Sequence, residues 1–194
     1  MRHRVFIAIN LPEDIKKKLV SYQEEIDVFF NENVIRWTKK DNLHITLAFL
    51  GYVQDDEIVE ICELTKSAGQ KQEPFSLNLI KICYGPPKKM PPRMIWSEGE
   101  KSKELARLKN GLEMSLLESE NSGFRNKEDR AFSPHITLGR IRAWQWKQIN
   151  QEERPTVEKE ISLSFDVNSI EIMESQLKRT GPEYTILESC PLKS

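Results

Sequence analysis

Cysteine, histidine, one-signed charge and long apolar runs are all scarce in this chain. Three cysteines occur in 194 residues, Cys62, Cys83 and Cys190. They are widely spaced, odd in number and without a Cys-x-x-Cys pair, so neither a disulfide framework nor a cysteine zinc site is expected. Such usage fits free thiols in a reducing cytoplasm. No apolar run approaches the ~18 residues of a membrane span, so no membrane partner is expected. The opening, MRHRVFIAINLPEDIKKKL, is basic and then briefly apolar. It is too short for a secretory core, lacks a small-residue cleavage site and reads as a first strand. Lys and Arg total 29 and Asp and Glu total 30, a formal net charge of −1. That balance argues against bulk electrostatic nucleic-acid binding but allows a local basic pocket. Histidine occurs three times, as His3, His44 and His135.

The remaining composition, 38% apolar and 30% charged, is that of an ordinary globular domain. Arg4–Ile9 reads as a strand, and Pro12 opens a helix with Ile15, Leu19, Tyr22, Ile26 and Phe29 on one stripe. A short strand at Val34–Thr38 precedes Leu43–Leu50, a strand closed by Gly51. Asp55 to about Ser67 reads as a helix and Phe75–Cys83 as a half-buried strand. Residues 85–92 carry four prolines and form a loop between two halves. The plan then restarts: strand Met94–Ser97, helix Ser102–Ser119, polar loop Asn121–Pro134, strand His135–Arg140, a short helix from Trp144, and strands at 160–167, 169–177 and 184–188. The expectation is an α+β fold. Duplicated β-α-β units form two antiparallel sheets around a central groove, with the helices outside.

Each half carries the same tetrapeptide, His44-Ile45-Thr46-Leu47 and His135-Ile136-Thr137-Leu138. Both lie on expected strands. Alternation puts His and Thr on one face, with Leu43, Ile45, Leu47 and Phe49 on the other. Two symmetry-related strands then aim two imidazoles and two hydroxyls into one cavity. An imidazole pKa near 6.5 makes both protonation states available, so one ring removes a proton from water while the other protonates a leaving sugar oxygen. Thr46 and Thr137 supply donors to phosphate oxygens, and the scheme needs no metal or cofactor. Two histidines without cysteines make a poor zinc set. His3 reads as a surface residue. Arg140 is the candidate phosphate partner, provided Gly139 marks a bulge that turns it to the histidine face; Arg130 is a weaker one. Phe6, Trp37, Phe49, Trp96 and Tyr184 are candidates to stack a base, the plain alternative being core packing.

The paired motifs are similar to those of the two-histidine phosphoesterase superfamily. Within it the chain resembles the RNA 2′,3′-cyclic phosphodiesterases, also called 2′-5′ RNA ligases (the LigT or ThpR group). The resemblance runs through RVFIAI with Leu11-Pro12, Arg36-Trp37-Thr38, the block from Asn42 to Gly51, and the block from Arg130 to Arg140. It continues in Glu174-Ser175, Gly181-Pro182 and Tyr184. Ala131 and Gly139 depart from residues common in the family and touch only local backbone geometry. The resemblance implies a single two-lobed domain over residues 1–194, with the first motif around 44–47 and the second around 135–138. It implies hydrolysis of an RNA terminal 2′,3′-cyclic phosphate to a 2′-phosphomonoester, with His44 as proton donor and His135 as base. Reversal gives 2′-5′ ligation. A monomer is expected. The alternatives are the same chemistry on a nucleotide-derived cyclic phosphate or a 2′-5′ oligonucleotide, and an RNA-end binding module without turnover.

Overall fold

The apolar runs and amphipathic stretches become strands and helices in the computed structural model, which describes residues 1–31, 33–87, 89–118, 132–179 and 181–193. In chain order these are β1 (Arg2–Asn10), α1 (Glu13–Asp27), β2 (Ile35–Trp37), β3 (His44–Gln54), α2 (Asp55–Gly69), β4 (Phe75–Gly85), β5 (Met94–Gly99), α3 (Lys103–Glu118), β6 (His135–Ile141), α4 (Ala143–Gln148), β7 (Glu158–Val167), β8 (Ser169–Lys178) and β9 (Gly181–Pro191). α1 starts directly after Pro12 with Glu13 and Asp14 in its first turn, where carboxylates complement the helix dipole. It buries Ile15, Leu19 and Ile26 and ends before Phe29, which is exposed. α2 opens with a capping box in which the Gln54 backbone N–H donates to the Glu57 carboxylate. α3 buries Leu105, Leu108, Leu112 and Leu116; truncating any one to alanine removes packing worth about 2–5 kcal/mol. No helix among the described residues is long and apolar enough to cross a membrane.

The strands form one sheet in the order β7-β4-β5-β6-β3-β1-β8-β9, with β2 added to β6. Its two antiparallel halves, β9-β8-β1-β3 and β7-β4-β5-β6, meet at the pair Ile45–Ile136. The architecture is therefore α+β with two antiparallel half-sheets, joined edge to edge. The same residue of each motif pairs across the seam, so a pseudo-twofold axis runs between them. It relates β1 to β5, β3 to β6, β8 to β4 and β9 to β7. The sequence halves are not the lobes: β4 completes the half-sheet of β5 and β6, while β8 and β9 complete that of β1 and β3. Ile45, Leu47, Ile136 and Leu138 face the helices in one continuous core.

Strict alternation fails on β3 and β6, at equivalent places. Ala8 pairs with Thr46 and Ile7 with Ala48, leaving Leu47 unopposed. Trp96 pairs with Thr137 and Ile95 with Gly139, leaving Leu138 unopposed. Each extra residue is a bulge that reverses the phase of everything after it. Phe49, expected on the helix side, consequently sits opposite Phe6 and is 58% exposed. Arg140 is carried to the groove face in the same way, opposite Met94. β3 also runs past Gly51, where a strand end was expected. Gly51 has φ +78° and sits at a second irregularity, and pairing resumes through Gln54.

Candidate active site

His44 and His135 begin β3 and β6 and face one open groove of about 1250 Å³. Their surroundings repeat. His44 Nδ1 is 2.7 Å from the Asn42 carbonyl oxygen, and His135 Nδ1 is 2.8 Å from that of Ser133. A carbonyl oxygen only accepts, so Nδ1 carries the proton in each ring and Nε2 is the nitrogen that exchanges protons with the groove. His44 Nε2 accepts from the Thr46 hydroxyl at 2.9 Å. Asn42 is anchored in turn, its side-chain amide donating to the Pro182 carbonyl on β9 at 2.8 Å. Gln23 of α1 donates to both the Thr38 and Leu138 carbonyls, tying the first helix to the bulge of the second motif strand.

The ring neighbours differ between the two halves. The His135 ring stacks on Trp96 with centroids 3.8 Å apart. His44 instead lies 5.0 Å from Phe6 and 5.3 Å from Tyr184. Phe6 is 3% exposed, covered by His44, Phe49 and Tyr184. It therefore supports the imidazole, and the open aromatic face belongs to Phe49. Trp37 lines the groove with its indole N–H held by Asp27 at 2.7 Å. Arg130 lies outside the described residues, as does most of the loop at 121–134.

Thr137 and Arg140 converge on one atom. The Thr137 hydroxyl is 3.9 Å and the Arg140 guanidinium 3.7 Å from the Met94 sulfur, so the bulge does bring Arg140 beside the second motif's hydroxyl. Arg36 on β2 stands directly opposite Arg140, and both line the groove. Two like charges facing each other across a strand pair are unfavourable without an anion between them. Sequence reasoning missed Arg36 as a site residue, because its partner strand lies about a hundred residues away. Among the described residues the groove wall carries Arg4, Arg36, Lys39, Lys109, Arg140, Lys178 and Arg179 against one carboxylate, Glu113. Lys109 is paired with Glu113 and Lys178 with Glu183. The basic pocket is thus concentrated in a chain of net charge −1. Among the described residues no three His, Cys, Asp or Glu side chains cluster as metal ligands.

Burial pushes His44 down to about 4, with the charges of Lys16 and His135 acting in the same direction and the Asn42 hydrogen bond opposing. His44 is therefore neutral at pH 7. The unfolded chain protonates it near 6.5, so between these values the unfolded state binds the extra proton. The stability involved is complete above pH 6.5 and is lost as pH falls toward 4, by up to about 3 kcal/mol. Urea midpoints at pH 7 and 4.5 are expected to differ less for His44→Gln than for the wild type; equal differences would contradict this. His3, expected at the surface, is 19% exposed and bridges Glu174 and Asp55. The Glu174 bond, then the Asp55 bond, raise its pKa. Its contribution runs oppositely, being lost as pH rises, and cancels in the comparison.

The model of LigT-like phosphoesterases matches residues 9–96. An RNA 2′,3′-cyclic phosphodiesterase of Methanocaldococcus jannaschii is 30% identical over 186 residues, covering 95% of this chain and 98% of the relative. That of Thermotoga maritima is 31% identical over 191 residues, covering 96% and 94%. A solved structure from Thermus thermophilus superposes with a TM-score of 0.83 at 28% identity, covering 98% of both chains. E. coli LigT complexed with 3′-AMP gives 0.77 at 24% identity over the whole of both, a likeness of fold. With two relatives at this identity over nearly their full length, the chain belongs to the LigT-like phosphoesterase family.

Proposed function

We propose that this chain hydrolyses the terminal 2′,3′-cyclic phosphate of RNA to a 2′-phosphomonoester, without a metal, by acid–base catalysis between His44 and His135. The observation that carries this reading is the duplicated tether. Both rings give Nδ1–H to the carbonyl two residues upstream, which turns both Nε2 atoms to one groove. His135 as base takes a proton from water, the water oxygen attacks phosphorus, the P–O3′ bond breaks, and His44 delivers a proton to O3′. Thr46 and Thr137 donate to the non-bridging oxygens, with Arg36 and Arg140 flanking the anion. Burial disfavours the charged His44 ring, and a negative phosphate beside Nε2 works in the opposite direction, favouring the protonated ring that the donor role needs. Phe49 offers its open ring to the terminal base. The relatives' activity toward RNA 2′,3′-cyclic phosphate supports the substrate class. With a 5′-hydroxyl in place of water, the same displacement forms a 2′-5′ link: His135 takes the hydroxyl proton, the P–O3′ bond breaks, and His44 protonates O3′.

The test is EDTA-treated protein with a short RNA ending in 2′,3′-cyclic phosphate, the product being identified by phosphorus NMR. A 2′-phosphate formed at an undiminished rate is expected. A 3′-phosphate would reverse the substrate's orientation between the histidines, and a rate abolished by EDTA and restored by a metal would overturn the mechanism.

A further inference from the structure

The groove continues beyond the histidine pair, over the half-sheet of β1 and β3. Directly paired residues share a face of an antiparallel sheet, so the register defines rows across it. Next to the first motif lies Ala8–Thr46, then Phe6–Phe49, then Arg4–Tyr52. Successive rows are about 7 Å apart, two residues of strand rise, a spacing of the order of one nucleotide step in an extended single strand. Tyr52 is 68% exposed. Arg4 is exposed and, among the described residues, in no ion pair. Glu174, its nearest acidic neighbour on β8, pairs with Val5 on the opposite face and is held there by His3. The groove's volume of about 1250 Å³ exceeds the ~300–1,000 Å³ of ordinary small-molecule pockets.

Resting on the cyclic phosphodiesterase reading above, we propose that Tyr52 and Arg4 form a subsite for the nucleotide immediately upstream of the cyclic-phosphate end. The base of that nucleotide lies on the Tyr52 ring, and the phosphodiester joining it to the terminal nucleotide meets the Arg4 guanidinium. An exposed ring beside a cation, continuous with a basic groove, is the pattern that holds single strands without reading their sequence. The pseudo-twofold axis does not duplicate it. The equivalents of Phe6 and Phe49 are Met94 and Arg140, so the other half-sheet offers charge where this one offers a ladder of rings. The strand accordingly leaves over β1 and β3, and the preferred substrate is an oligonucleotide end rather than a free nucleotide.

The test compares two substrates on the full chain: adenosine 2′,3′-cyclic monophosphate and an RNA pentamer ending in 2′,3′-cyclic phosphate. Tyr52→Ala is expected to raise KM for the pentamer about tenfold, with kcat and the mononucleotide's KM unmoved, while Tyr52→Phe keeps wild-type values. Arg4→Gln is expected to reduce the salt slope of the pentamer's log KM by about 0.7. Equal effects on both substrates, or none on the pentamer, would overturn the subsite. If wild type turns over neither substrate, the cyclic phosphodiesterase reading falls separately. Fluorescence anisotropy with labelled pentamer then decides the subsite: weaker binding by Tyr52→Ala supports it, and equal binding overturns it.

Discussion

Replacing His135 with alanine is expected to lower kcat on cyclic-phosphate-ended RNA by about 10²–10⁴-fold, and His44→Ala by a similar factor. The magnitude follows from position. Each ring is locked at Nδ1 by a backbone carbonyl, so its remaining nitrogen is already oriented for proton transfer, and no neighbouring described imidazole can replace it. His3 is far along β1 and engaged with Glu174 and Asp55. The two losses are not expected to add, because acid and base act in one transition state. The double variant should be little slower than the worse single one. Thermal melts at pH 7.5 should stay close to wild type, since both side chains stand on the groove wall rather than in the core. Steady-state rates with each variant check this; either single variant within tenfold of wild type would remove the paired mechanism.

Gly85→Ala is expected to cost about 1–3 kcal/mol of stability and to lower kcat by roughly tenfold to a hundredfold. A Cβ at Gly85 would lie 2.2 Å from Cδ2 and 2.4 Å from Cε2 of the Trp96 indole. That ring is 7% exposed and has little room to retreat. It is also the plate on which His135 stacks. The added methyl therefore acts on the imidazole through the indole, displacing the base from the reacting water. Gly111→Ala in α3 is the control: nothing lies within 4 Å of its Cβ, and replacing a mid-helix glycine should stabilise by about 0.5–1 kcal/mol without touching kcat. Urea unfolding and single-turnover rates, measured where both variants are folded, check the pair. A Gly85→Ala enzyme with unchanged chemistry would show that Trp96 does not position His135.

The parts of this site that can be read from sequence are those encoded locally and twice. His44 and His135 stand in identical tetrapeptides, and period-two patterning sends each with its threonine to one face. Arg140 requires a bulge that the sequence marks only by Gly139, and alternation puts Phe49 on the wrong face because nothing marks the matching bulge at Leu47. A bulge is set by how two strands bend against each other, and the pattern within one strand does not carry it. Arg36 falls within a block that carries the resemblance, yet its place in the site is not legible there, because it depends on a partner on β6. The exchange of β4 and β8 between half-sheets is likewise a matter of long-range pairing. The order of elements along the chain is compatible with lobes that keep their own strands.

That exchange bears on how the chain folds as it is made. β1 is an inner strand of its half-sheet, yet its neighbour on one side, β8, pairs through Ile7 with Ile172. At about 5–20 residues per second of synthesis, the open edge of β1 waits roughly ten to thirty seconds for β8 to cover it. During that time an apolar strand, Val5 to Ile9, presents an open edge able to pair with another nascent chain. The active-site groove is completed by β8 and β9, which add Ser175, Leu177, Pro182 and Tyr184 to its wall, so a nascent chain stalled before β8 would expose that edge and lack that side of the cleft.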